Sequence, residues 1–233
     1  MNILPSERRA LLRARKLKPD TDIVGIDQSL SNCAMVHFNG TKVVDRCVFH
    51  TGCPNTKDYK TRVKRGDTIF GEYFTSHEMQ VSYIAGNVVK KIAEWNPKRV
   101  ALEGLAFSAT GKTERQLAGL YHAICTSLYY QLGYDITKGD IVIVTPTQVK
   151  QVGREFLPEE EYYLKEYTSR GKPKLRPMEK KDMIRAVTLG GYDYVLEGYT
   201  RKQLVASRSK PTGLEDLPDA ICVGLHCLKN IKQ

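Results

Sequence analysis

Two short apolar runs, each closed by an acid, constrain this chain most. "IVGI" (23–26) leads into Asp27, and "RVAL" (99–102) leads into Glu103. Runs of this length, rich in Val, Ile and Leu and bounded by polar residues, suit buried strands rather than amphipathic helices. If the two strands lie side by side in the centre of a sheet, their carboxylates emerge at neighbouring ends. Carboxylates crowded at a half-dry rim repel one another and lose hydration, so the arrangement calls for cations.

The second run also resembles a nucleotide-binding loop. "GLAFSATGKT" passes from strand to helix and ends in Gly111-Lys112-Thr113. A phosphate-binding loop needs a glycine five residues before that final glycine, where the backbone bends around phosphate. Ala106 stands there, and its Cβ disfavours the bend. The expectation is therefore no nucleotide cofactor, and Glu103 needs a different role.

Along the chain, "DIVGIDQSL" reads as a strand, and "CAMVHFNGTKVVDRCVFHT" as a hairpin around Asn39-Gly40. Residues 53–71 read as a loop. Apolar residues from Met79 to Ile92 recur at helical spacing, and Asn96-Pro97 ends that helix. A strand at 99–103, a helix at about 113–132, a strand running into a short helix over 140–153, and helices at 179–189 and about 216–231 follow. This order predicts an α/β fold, a mixed central sheet flanked by helices. Residues 1–20 form a basic N-terminal arm, and 21–233 form one domain with insertions at about 154–178 and 190–213.

The net charge is +10 and the isoelectric point about 9.3, a balance suited to phosphate backbones. Basic residues gather at 8–18, 57–65 and 165–181. No run is long and apolar enough for a membrane span, and the N-terminus lacks the apolar core of a secretory signal. Its arginines fit a transit peptide or an arm that touches phosphates. Six scattered cysteines suit reduced thiols, so the expected location is a cytoplasm, not a secretory route.

A second pair of acids, Asp216 and Asp219 in "GLEDLPDAICVGLHCL", opens an apolar helix. Their spacing places both on one helix face. Helix capping, with Pro218 in the first turn, explains the pair equally well when it is taken alone. Taken with Asp27 and Glu103, the set is oxygen-only, which selects magnesium or manganese over zinc. Two such ions clamp the attacking and leaving oxygens of a phosphodiester, so a basic protein with this site is expected to be a nuclease.

Five motifs, "VGIDQSLSNCAMV", "ALEGLAFSA", "TPTQVKQVG", "EKKDMIRAV" and "DLPDAICVGLH", occur in the order found in Holliday-junction resolvases of the RuvC type. The chain resembles that family over roughly 22–153, 178–190 and 214–228. The resemblance implies a ribonuclease-H-like fold in a bacterial or phage-infected cytoplasm. It also implies a homodimer that resolves four-way or other branched DNA using Mg2+ or Mn2+, two ions per site. It makes Asp27, Glu103, Asp216 and Asp219 the metal ligands. Lys150 and Lys180 become basic residues near the scissile phosphate, with Lys181 as the alternative to Lys180. Phe107 becomes the candidate for an aromatic wedge, offset by one position. The glycine usual soon after the first aspartate is missing around Cys33-Ala34. Lys112 and Arg115, opening the dimerisation helix, become DNA contacts. The stripe Leu117, Leu120, Ile124 and Leu128 becomes a dimer face, or a core face.

Arg170, Lys172, Lys174 and Arg176 in the first insertion are further expected DNA contacts, in a Gly- and Pro-containing exposed loop. Cys47, His50 and Cys53 have ligand-like intervals but lack a matching fourth ligand. Cys222, His226 and Cys227 read as helix packing, with His226 near enough to the acids to meet substrate. An actin-like ATPase would need a second phosphate loop and a longer chain. A DNA-binding protein with a decayed site would have no reason to keep four acids.

Overall fold

The computed structural model describes residues 3–52, 72–105, 111–167, 171, 173–196 and 216–231. Strands β1 (Asp22–Asp27), β2 (Asn32–Asn39) and β3 (Lys42–Gly52) form an antiparallel meander. Gly40, at φ +62°, makes the tight turn between β2 and β3. After β3 come the two-residue β4 (Glu72–Tyr73), α2 (His77–Trp95), β5 (Arg99–Glu103), α3 (Lys112–Ser127), β6 (Ile141–Val144) and α4 (Pro146–Arg154). An α1 helix (Pro5–Lys16) precedes β1. The chain continues through β7 (Tyr163–Tyr167), β8 (Pro173–Leu175), α5 (Lys180–Val187) and α6 (Leu217–Lys229). The main sheet has the order β4-β3-β2-β1-β5-β6, with β1, β5 and β6 mutually parallel.

Strand alternation sends side chains to two core layers. Ile23 and Ala101 face α6 and its residues Ala220, Ile221 and Val223. Val24, Ile26, Val100 and Leu102 face α2 and α3. The result is a sheet sandwiched between helices, as the element order predicts. In the β1–β5 register Gly25 pairs with Ala101 and Ile26 with Leu102. One step further stand Asp27 and Glu103, so the two acids close adjacent central strands.

The helix starts and stops follow local chemistry. Ser76 caps α2 by accepting from the Met79 N–H, and Asn96 ends it in the left-handed region at φ 45°. Thr145 and Gln148 form a capping box on α4, with Pro146 at its first turn.

Three segments gain detail that the sequence left open. Within the basic segment 1–20, residues 5–16 are a helix docked on the body. Arg15 is 5% exposed and lies over the Tyr134 ring, donating to the Leu132 carbonyl at 3.0 Å and to Asn96 Oδ1 at 3.3 Å. Arg15→Ala should lower stability by about 2–3 kcal/mol in urea unfolding, because two carbonyl oxygens lose a charged donor and Tyr134 loses its cover.

The stripe on α3 and the π-helical turn that extends it (Leu128–Leu132) covers the chain's own core. Leu120, Ile124 and Leu128 are fully buried and Leu117 packs against them. Each buried leucine or isoleucine contributes roughly 2 kcal/mol, a large share of a typical domain's stability. Of the two roles the sequence left open for the stripe, Leu120, Ile124 and Leu128 take the core face.

The first insertion is not a featureless loop. Glu159–Glu161 form a 3-10 turn, and β7 and β8 pair antiparallel. Of the second, 190–196 continue a short helical segment beyond α5, and 197–213 lie outside the described residues.

Candidate metal centre and active site

The acids converge because three elements end at one place. Asp27 closes β1, Glu103 closes β5, and α6 crosses β1 with its first turn beside Asp27. That crossing is close. A Cβ on Gly25 would overlap the Ala220 carbonyl oxygen and lie 2.6 Å from the Gly224 backbone nitrogen. Glycine at 25 lets the α6 backbone rest directly on β1, and glycine at 224 leaves room for the Phe38 ring of β2. Asp216 and Asp219 are carried along with it.

One carboxylate oxygen from each of Asp27, Asp216 and Asp219 can be chosen so that all lie within 4.8 Å of one another. All three residues are buried, at 6%, 8% and 2% exposure. Asp216 occupies the cap position of α6, yet its side chain makes no capping hydrogen bond. It is turned toward Lys180 instead, which removes the capping explanation for this residue.

Two ammonium groups answer the acids. Lys180 Nζ lies 2.7 Å from Asp216 Oδ1 and 3.9 Å from Asp27 Oδ2, and also binds Asp219 Oδ2. Lys150 Nζ lies 2.6 Å from Asp219 Oδ1. The neighbouring Lys181 is exposed and pairs with Glu179 at 3.0 Å, so Lys180 is the lysine that faces the carboxylates.

The electrostatics divide the four acids. Burial, then the Asp216 charge, push the Asp27 carboxyl well above its ordinary range despite Lys180. Burial raises Glu103 too, against a hydrogen bond with the Asp27 carboxyl. Burial raises Asp216. For Asp219, Lys180 and Lys150 together overcome burial, and its carboxyl is depressed. The three neighbouring acids raise Lys180 far above a free lysine, although burial opposes them.

The donor set fits a hard divalent cation: oxygen-only, buried and anionic. The Lys180 ammonium, set among three carboxylates, stands in for positive charge at this place. Lys180→Met should therefore destabilise the metal-free protein, and added magnesium should raise its melting temperature more than that of the unaltered protein. Melts in magnesium and in chelator check this.

Other expected residues are placed variously. Arg115 is exposed on the first turn of α3, which Lys112 opens. Phe107, Arg170 and Lys172 lie outside the described residues. Lys174 is exposed on β8. Arg176 makes internal contacts, with Asp182 Oδ1 at 3.1 Å and the Glu161 carbonyl at 3.2 Å. Cys47 is partly buried in the core and its thiol is pushed up to about 12 by burial. The His50 side chain and Cys53 lie outside the described residues. His226 is half-buried on α6, where burial and Lys229 lower its pKa.

Sequence reasoning missed three contributors. Gly25 and Gly224 set the strand–helix approach, and a glycine within a strand pattern was the available signal. Gln28 ties the ends of β1 and β5 together, its Nε2 donating to the Glu103 carbonyl at 3.0 Å. No pattern in the sequence marks it.

The chain matches no protein-family model and no curated protein. Solved structures do match. The yeast mitochondrial Holliday junction resolvase superposes with a TM-score of 0.50 at 11% identity, covering 96% of this chain and 87% of that one. The two chains share a fold. Thermus thermophilus RuvC gives a TM-score of 0.47 at 15% identity, covering 88% of this chain and 91% of its own. The same protein in complex with a Holliday junction substrate gives 0.46 at 12%, covering 86% and 90%. The mixed sheet, with β1 beside β5 and α6 packed across them, is what brings the ends of β1 and β5 beside α6. Among the described residues, no helix is long and apolar enough to cross a membrane.

Proposed function

We propose that the protein is a divalent-metal-dependent endonuclease that resolves four-way DNA junctions as a homodimer. The observation that carries this reading is the buried carboxylate cluster with two lysines directed into it, on a protein of net charge +10. A cluster this costly to desolvate is a poor stability device and a good cation site.

Asp27, Asp216 and Asp219 would hold magnesium or manganese, with Glu103 completing the set from the end of β5. When bound, such ions stabilise charge on the attacking and leaving oxygens of a phosphodiester. Lys150 and Lys180 hold positive charge at the rim where a scissile phosphate would lie. Gln28 fixes the end of β5 relative to β1, and so fixes Glu103 relative to Asp27. Paired cuts across a junction need two sites related by a dyad, which a twofold dimer provides. With the α3 stripe buried, that dimer must use another surface. Sedimentation showing a monomer that still cuts symmetrically would reject the dimer.

The deciding experiment incubates the protein with four-way junctions, forks, flaps and linear duplex, in magnesium and in chelator. Paired nicks near the junction centre, only with metal, are expected. Equal cutting in chelator would overturn the reading.

Proton release gives an independent check. The elevated Asp27 carboxyl holds a proton in the metal-free protein at pH values where an ordinary aspartate has none, and a metal ligand must give it up. Magnesium affinity should therefore rise as pH rises through the Asp27 titration. Calorimetry in two buffers of different ionisation enthalpy should register protons released per magnesium bound. Affinity independent of pH would contradict the assignment.

A further inference from the structure

The β7–β8 hairpin carries an exposed apolar pair beside the catalytic helices. Tyr163 and Leu175 are cross-strand register partners, 44% and 50% exposed. The Tyr162 ring adjoins, with its centroid 6.2 Å from that of Tyr163. Cross-strand pairing holds the two side chains next to each other at the surface.

Arginines build that base. Arg176 joins Asp182 on α5 and the Glu161 carbonyl ahead of β7. Arg154 of α4 donates to the Arg176 carbonyl at 3.0 Å, and Arg185 of α5 grips both carboxylate oxygens of Glu161. The two helices that hold the hairpin are the two that supply the site's lysines: Lys150 is one turn before Arg154, and Lys180 is two residues before Asp182. Arg176 is thus an anchor for the hairpin.

We propose that Tyr163 and Leu175 form a platform on which an unpaired base at a DNA branch point stacks, holding the branch in register with the carboxylate cluster. The proposal rests on the nuclease reading above and names the feature of the substrate that is recognised. Two side chains are far too small an apolar area for a protein interface, but they match the face of one base. Between Tyr163 and Leu175 the sequence carries Lys165, Arg170, Lys172 and Lys174 against the single acid Glu166, a charge balance that suits the phosphates flanking that base. In intact duplex every base is covered on both faces, so a stacking platform selects branch points or single strands.

The test uses the full chain in chelator, with 2-aminopurine at the centre of a four-way junction and a linear duplex of equal length as control. Tyr163→Ala and Leu175→Ser should weaken junction binding by roughly five- to a hundredfold, the range implied by one lost stack, and abolish the change in 2-aminopurine fluorescence. Linear duplex binding should not change, and Tyr163→Trp should restore the junction. Because both side chains are half-exposed, folding should survive, and circular dichroism verifies this. Equal losses on junction and duplex, or no loss on either, would overturn the platform. If the unaltered protein cuts junctions with metal while Tyr163→Ala behaves identically, only the platform fails. If the unaltered protein cuts no DNA but binds the labelled junction through Tyr163, only the nuclease reading fails.

Discussion

Asp27→Asn, Glu103→Gln and Asp219→Asn should each reduce metal-dependent cleavage at least about a thousandfold while junction binding persists. The expected size follows from the several kcal/mol that metal charge contributes to such a transition state, at tenfold per 1.36 kcal/mol. Binding should hold or tighten, because on the proposed reading each substitution removes negative charge from a surface that would meet phosphates. Asp219 is the most telling of the three. It is 2% exposed and contacts both lysines, so asparagine there also releases Lys150 and Lys180 from their shared partner. Asp216→Asn should be milder, because both lysines keep their bonds to Asp219. Gel-shift and cleavage assays on one junction, side by side, read both quantities. Cleavage at the normal rate by Asp27→Asn would remove this carboxylate set from the active site.

Much of the site was legible because strand ends are legible. An apolar run that stops at an acid fixes both the element and the position of the acid on it, and Asp27 and Glu103 could be placed from that alone. Asp216 was ambiguous for a physical reason. A capping aspartate and a ligand aspartate occupy the same backbone position and differ only in where the side chain turns. Lys180 and Lys181 posed the same problem, since adjacent residues at a helix start point about 100° apart. The α3 stripe shows a different limit. An amphipathic stripe states that a face is covered, not whether the cover is the chain's own sheet or a second copy. Arg176 was read as a DNA contact from its neighbours' charge, while its internal partners, Asp182 and Glu161, could be known only after the hairpin formed.

Gly25→Ala should be the most damaging substitution that touches no functional group. The added methyl would overlap the Ala220 carbonyl oxygen and stand 2.6 Å from the Gly224 nitrogen and 3.0 Å from its Cα. These are backbone atoms of α6, so no side-chain rotation can relieve the clash and the helix must retreat from β1. Overpacking typically costs about 1–3 kcal/mol, and a backbone clash belongs at the upper end. The functional loss should exceed the stability loss, because a retreating α6 takes Asp216 and Asp219 away from Asp27. A displacement of about 1 Å is enough for a roughly hundredfold drop in rate. Magnesium affinity should fall with it, which a stability effect alone would not produce at a temperature where the variant is folded. Gly86→Ala is the matched control. Gly86 lies inside α2 with nothing within 4 Å of its would-be Cβ, so alanine there should stabilise the protein by up to about 1 kcal/mol through helix propensity. If Gly25→Ala melts with Gly86→Ala and cuts DNA equally well, the close strand–helix approach does not position the carboxylates.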